Sequence, residues 1–276
     1  MLHSTTLNLL PKPLVMQARR MAMLTAVCLC LAATVATGQT LTVAAASDLQ
    51  SALPAIAAQF EKDTGHPVTL TFGSSGNFFT QIQNGAPYDL YFSADIRYPQ
   101  KLINSGQGVA ESLYTYAIGR IVLWVPVQSN VLVQQRGLES LLDGSIKKIA
   151  IANPKHAPYG RAAVAALEKA GLYERVKDRL VYGENVSQAA QFVESGAADA
   201  GIIARSLALA PLMEATGLYW EIPAELHPSL EQGVIQLKGA REPAVAAKFL
   251  DFLKGSEGRA IMTRFGFVVP GSGANQ

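Results

Sequence analysis

From Leu41 onward the chain alternates between two hydrophobic rhythms. Short apolar runs occupy residues 41–46, 67–72, 89–93, 121–125, 149–152 and 201–204. Each is only a few residues long and bounded by Gly, Pro, Asn or Ser, which predicts buried strands. Between them, apolar residues recur at helical spacing. Leu49, Leu53, Ile56 and Phe60 form one stripe. Pro54 falls within it and predicts a break or restart, because proline lacks the N–H its turn needs. Phe78, Phe79 and Ile82 begin a second helix, closed by Asn84-Gly85. A third helix is predicted over 161–170, stopping at Gly171, and a shorter one follows Ser187. Two more fill 244–254 and 257–265. Strands alternating with helices predict an α/β fold with largely parallel sheets.

The grammar runs twice, which predicts two lobes. Residues 39–119 with 223–276 form the first, and residues 120–222 form the second. Open α/β sheets bind ligands beyond the carboxyl ends of their strands. In a two-lobed chain those ends can face each other across a cleft.

The first 38 residues follow a different pattern. Lys12, Arg19 and Arg20 precede an apolar run over 21–35, and small residues end in Ala36-Thr37-Gly38. A basic flank, an apolar stretch and small residues at a cut site predict a secretory signal peptide over 1–38 and a periplasmic address. The alternative is an uncleaved anchor, but the run is shorter than the roughly 20 residues a span needs. The net charge is +2 for the whole chain. Without Lys12, Arg19 and Arg20 the remainder carries 20 basic against 21 acidic residues. No strong basic field is left, and nucleic acid is not expected as a partner. Both cysteines, Cys28 and Cys30, lie inside the leader. The exported part therefore depends on its core alone, which its size allows; the full chain is 49% apolar and 16% charged.

Four predicted strand-to-helix junctions carry small or hydroxyl residues: Ala44-Ala45-Ala46-Ser47-Asp48, Gly73-Ser74-Ser75-Gly76-Asn77, Pro158-Tyr159-Gly160 and Asn185-Val186-Ser187. A helix start has free N–H groups and the positive end of the macrodipole, so it binds anions without a full countercharge. Serine hydroxyls add donors. Each junction taken singly also reads as an ordinary N-cap or turn. Four of them spread over two units point to an anion, although spacing alone does not name it.

No catalytic set competes. Of the four histidines, His3 leaves with the leader, His66 and His227 precede prolines, and His156 sits alone in a loop beside the third junction. The sequence contains no Gly-x-Ser-x-Gly elbow, HExxH pair or GxxxxGK[ST] loop. Neither catalytic residues, a cofactor nor direct metal ligands are expected. Trp124 and Trp220 read as core or lobe-edge aromatics.

At these junctions the chain resembles the ModA-type molybdate-binding proteins of bacterial ABC importers. The resemblance covers nearly all of the exported part. It rests on Ala44-Ala45-Ala46-Ser47, Phe72-Gly73-Ser74-Ser75-Gly76, Gly85-Ala86-Pro87, Asp89-Leu90-Tyr91-Phe92-Ser93-Ala94-Asp95, Asn153-Pro154, Ala157-Pro158-Tyr159-Gly160, Glu184-Asn185-Val186, Gly201-Ile202-Ile203, Lys254-Gly255 and Phe265-Gly266-Phe267. It implies a two-lobed, type II periplasmic solute-binding protein with a hinge and an interlobe cleft. The implied ligand is molybdate or tungstate, and the implied partner is an inner-membrane ABC permease served by a monomer. The binding residues would be Ser47, Asp48, Ser75, Tyr159 and Val186, with Ser47 and Ser75 giving hydroxyls and N–H groups and Tyr159 and Val186 giving backbone N–H groups.

The chain departs from the resemblance twice. Many relatives carry a tyrosine donor where Ala204 stands, so the Tyr159 hydroxyl is expected either to replace it or only to pack. Asp48 is an acid beside an expected dianion. Its side chain is expected to point away or cap the helix, leaving its N–H to bind, or else to accept a proton-mediated bond from a protonated oxyanion such as phosphate. Sulfate, phosphate or an organic acid bound by an arginine such as Arg161 or Arg205 are rival ligands, and an exported enzyme on the same architecture, which would need a positioned acid, base or nucleophile, is the further rival.

Overall fold

A computed structural model describes residues 40–271. The predicted leader, with Cys28 and Cys30, lies outside them. Strand β1 (Leu41–Ala46) leads through a 3-10 turn, Ser47–Leu49, into helix α1 (Ala52–Thr64). Next come β2 (Val68–Gly73), α2 (Ser75–Gln83), β3 (Leu90–Ser93), α3 (Arg97–Asn104) and β4 (Tyr114–Gly119). The second set is β5 (Ile121–Pro126), α4 (Val133–Arg136), β6 (Ile149–Ala152), α5 (Pro158–Lys169), α6 (Tyr173–Val176) and β7 (Leu180–Gly183). It continues with α7 (Val186–Glu194), β8 (Ala200–Ala204), α8 (Arg205–Ala208), α9 (Pro211–Thr216) and β9 (Gly217–Glu221). The chain then returns through β10 (Leu230–Gln236), α10 (Pro243–Lys254) and α11 (Ser256–Arg264).

The strands form two five-stranded sheets, ordered β2-β1-β3-β10-β4 and β7-β6-β8-β5-β9. Arg120 alone separates β4 from β5, and residues 222–229 carry the chain back, so two crossings join the lobes. The sheets are mixed, which corrects the largely parallel expectation. Strand β1 pairs parallel with β2 and β3, and β6 pairs parallel with β7 and β8. The other pairings are antiparallel because the strand entered just after each crossing, β10 or β5, inserts into its sheet in the opposite sense.

Side chains of β1 alternate between two cores, as the pleat requires. Leu41, Val43 and Ala45 pack with Phe60, Phe249 and Leu250 of α1 and α10, while Ala44 packs with Phe78, Ile82 and Leu102 of α2 and α3. Burial on both faces explains why these strands read as nearly continuous apolar runs. Lobe 2 has one core that includes Trp124, whose indole N–H donates to the Met213 carbonyl at 3.1 Å. Pro54 sits in the first turn of α1, where its missing N–H costs nothing, and the chain restarts there after the 3-10 turn.

Candidate functional site

Beyond the carboxyl ends of β1, β2, β6 and β7, four helical starts converge. Ser47, Asp48, Ser75, Tyr159 and Val186 all line one cavity, with Ser74, Ala94, Ala157 and Asn185. Its volume is about 10 Å³. Pockets for drug-sized organic ligands run to roughly 300–1,000 Å³, so the space suits a small ligand.

At the start of α2, the Gly76 N–H goes to the His156 carbonyl (3.0 Å) and the Asn77 N–H to the capping Ser74 Oγ (3.3 Å). In α5, Pro158 has no N–H, and the N–H groups of Gly160 and Arg161 go to the Ala157 carbonyl. In α7, the N–H groups of Ser187 and Gln188 go to Ser47 Oγ (3.4 Å) and Asn185 Oδ1 (3.0 Å). Among the described residues, the N–H groups of Ser75, Tyr159 and Val186 are left without a protein acceptor. Ser75 Oγ accepts from the Ala94 N–H at 3.0 Å, and Ser47 Oγ accepts from Ser187, so each hydroxyl keeps its hydrogen to donate. Gly160 makes this arrangement possible, since a Cβ there would lie 2.1 Å from the Ala152 carbonyl oxygen. Among the described residues, no Lys or Arg lines the cavity.

Both sequence departures meet in one network. Asp48 is fully buried and caps nothing, so the helix-cap expectation is corrected. Its Oδ2 instead accepts from the Tyr159 hydroxyl at 2.9 Å and from Gln232 Nε2 at 2.6 Å. Gln232 in turn donates to the Tyr159 oxygen (2.9 Å) and accepts from the Tyr116 hydroxyl (2.7 Å). The single hydroxyl hydrogen of Tyr159 is thus given to Asp48. That corrects its expected role as a substitute ligand donor, and the tyrosine's N–H is what faces the cavity unpartnered. Burial pushes the Asp48 carboxyl up to about 6, against the bonds from Gln232 and Tyr159 that pull it down. Burial also raises both tyrosines.

The lobes touch along the rest of the seam. Ser74 Oγ and His156 Nδ1 lie 2.9 Å apart, so the loop histidine is held across the cleft. Asn77 Nδ2 donates to Glu184 Oε1 (2.7 Å), Ser206 Oγ donates to the Asp48 carbonyl (2.8 Å), and the Ser187 hydroxyl meets Gln50 Oε1. Arg161 reaches Asp95 at 2.8 Å instead of the cavity, and Arg205 lies 3.5 Å from Glu221. Neither arginine is placed to clamp a carboxylate ligand in the cavity. Sequence reading missed Gln232, Tyr116, Ser206 and Gln50. The one available signal was a glutamine amid the apolar residues of 230–236.

Two lobes closed over unpartnered N–H and hydroxyl groups define a protein that traps a small solute. The comparisons agree. The family model described as bacterial extracellular solute-binding protein matches residues 41–268. The molybdate-binding protein ModA of Azotobacter vinelandii is 41% identical over 82% of this chain and 88% of its own. That of Rhodobacter capsulatus is 39% identical over 77% and 82%. A solved structure of the Azotobacter vinelandii periplasmic molybdate-binding protein is similar with a TM-score of 0.79 at 37% identity, covering 83% of this chain and 99% of that one. The chain belongs to the bacterial extracellular solute-binding protein family, on the branch of the molybdate-binding proteins ModA. It has the type II two-lobed fold, and its relatives are binding proteins, not enzymes.

Proposed function

We propose that this protein captures molybdate or tungstate outside the cytoplasm, working as a monomer without a cofactor and handing the ion to an ABC permease in the inner membrane. The reading includes export by the leader over 1–38 and residence in the periplasm. One observation carries it: unpartnered donors from both lobes line a single cavity of about 10 Å³ that no Lys or Arg among the described residues lines. Donors of this kind touch the oxygens of a tetrahedral dianion, and no residue needs to ligate the metal atom. Each bond is charge-assisted, roughly twice as strong as a neutral one, and exclusion of water strengthens it further. A donor cage spaced for the larger ions leaves sulfate with long bonds. Donors from two lobes acting on one ion favour closure about the two crossings.

Hydrogen phosphate is the second reading, favoured by Asp48 Oδ1, which is buried without a partner and able to accept a proton-bearing oxygen. Calorimetric titration with molybdate, tungstate, sulfate and phosphate in parallel separates them. The expected result is tight binding of the first two ions and at least about a hundredfold weaker binding of the others, a gap of ~2.7 kcal/mol. Tight binding of sulfate or phosphate alone overturns the assignment.

A further inference from the structure

Asp48 is an acid in a site built for anions. It lines the cavity beside Ser47, Ser75 and Val186, and it is 0% exposed. Its Oδ2 is held by Tyr159 and Gln232, whereas its Oδ1 is buried and has no partner. An ionised carboxylate against a dianion repels it strongly once water is excluded. Gln232 and Tyr159 donate to Oδ2, but no cation among the described residues stands by to offset that repulsion. The β10 strand presents Gln232, β4 presents Tyr116 and α5 presents Tyr159. From α8, Ser206 bonds the Asp48 carbonyl, while Arg205 is turned to Glu221. From α7, Ser187 bonds Ser47 and Gln50, and β2 ends at Gly73. Among the described residues no Lys, Arg or His bonds the carboxylate, and the two tyrosines are raised by burial and remain protonated. Burial already moves the carboxyl up to about 6 in the ligand-free cleft.

We propose that the occupied cleft holds Asp48 as a neutral carboxylic acid whose Oδ1–H donates to the bound oxyanion, so that each captured dianion brings one proton into the protein. This rests on the oxyanion reading above. The proton comes from water while the cleft is open, bonds to Oδ1, and returns to water on release. The acid then adds one more donor to those counted above. A ligand that carries its own proton, such as hydrogen phosphate, donates instead to the ionised Oδ1 and brings no extra proton.

The sign follows by linkage. Occupancy raises the proton affinity of Asp48, so protonation raises affinity for the dianion, and binding weakens as pH climbs above the range where the free carboxyl titrates. The test is calorimetric titration of the purified protein with molybdate at about pH 6, 7 and 8, each in two buffers of different ionisation enthalpy. At about pH 8 the wild type is expected to take up close to one proton per molybdate, with Kd rising by up to about tenfold per pH unit. Asp48→Asn carries an amide donor at every pH. It is expected to take up no proton, with Kd changing less than about twofold over the same range. Running both proteins together removes the ligand's own titration from the comparison. Molybdate binding by the wild type without proton uptake overturns the proposal and leaves the oxyanion reading standing, as does uptake that persists in Asp48→Asn. No molybdate binding at any pH overturns both. If Asp48→Asn fails to fold, the wild-type proton count decides alone.

Discussion

In lobe 1, β10 lies between β3 and β4; in lobe 2, β5 lies between β8 and β9, and the two sheets share one strand plan. Their contributions to the cavity nonetheless differ in kind. Lobe 1 brings the hydroxyls of Ser47 and Ser75 and the carboxyl of Asp48, besides the one peptide N–H of Ser75. Lobe 2 brings peptide N–H groups at Tyr159 and Val186, set by Pro158 and Gly160 in one helix start and by the Asn185 cap in the other. Side-chain donors can be deleted one at a time. Peptide donors persist under almost any substitution that keeps the helix start. Lobe 1 therefore holds the features that mutation can retune, and lobe 2 works as a fixed face that closes onto them.

The sharpest way to break this comparison is to stop the faces from meeting. Gly76 gives its N–H to the His156 carbonyl across the seam, and a Cβ on Gly76 would lie 2.5 Å from that same oxygen. The obstacle is backbone and cannot swing aside. Gly76→Ala is expected to destabilise the closed form by about 3 kcal/mol, the upper part of the range for overpacking. Calorimetry should show molybdate affinity down by roughly a hundredfold with Tm little changed. Equal affinity would mean the lobes need not approach this closely to hold the ion.

Asp48 gives the second effect. Its carboxyl rises from 3.8 to about 6 on folding. A raised acid favours the protonated folded state, so its contribution is complete below about pH 4, is lost as pH rises to about 6, and stays lost above that. The loss amounts to about 3 kcal/mol at most. In thermal melts without ligand, Asp48→Asn should match the wild type near pH 4 and exceed its Tm at about pH 8. A variant less stable at both pH values would show that the charged carboxylate is well accommodated.

How much of this was legible depended on range along the chain. The helix starts were readable because Ser75, Tyr159 and Val186 sit in junctions whose Gly, Pro and Asn announce them locally. Pro54 announced the restart of α1 in the same way. The Asp48–Gln232 pair was not readable, because it joins residues 184 positions apart across a crossing. Strand β10 escaped notice because Glu231, Gln232 and Gly233 interrupt its apolar pattern. Those interruptions exist for the network and for the close approach of Gly233 to Ile96, where a Cβ would lie 2.9 Å from the Ile96 side chain. The antiparallel insertions of β5 and β10 were hidden for the same reason: direction within a sheet is set by where the chain crosses, and local hydrophobicity carries no record of it.

Removing lobe 1 hydroxyls sharpens the contrast. Ser75→Ala deletes the hydroxyl and keeps the N–H, and Ser47→Ala deletes the hydroxyl that also receives the Ser187 N–H. A hydrogen bond to a charged group contributes about 1.5–3 kcal/mol. Each variant should therefore bind molybdate roughly 10- to 100-fold more weakly by calorimetry. Val186→Ala in lobe 2, which keeps its peptide N–H, should bind within about threefold of wild type, under 1 kcal/mol. Similar losses in all three variants would erase the distinction between the two faces.

The smallest effect belongs to the rim. Arg161 of α5 bridges the seam to Asp95, which also pairs with Arg97 at 2.7 Å. The Arg161 side chain is 34% exposed, so water and salt screen the pair and its contribution is at most about 1 kcal/mol. Asp95 keeps Arg97 when Arg161 is gone, and no buried charge is stranded. Arg161→Gln should weaken molybdate binding by less than about fivefold. That difference should shrink as ionic strength rises from roughly 0.02 to 0.5 M, whereas the losses in the serine variants should persist, because their partners are shut away from solvent. A salt-independent loss of tenfold or more in Arg161→Gln would place the guanidinium among the groups that hold the ion, and lobe 2 would no longer contribute through its backbone alone.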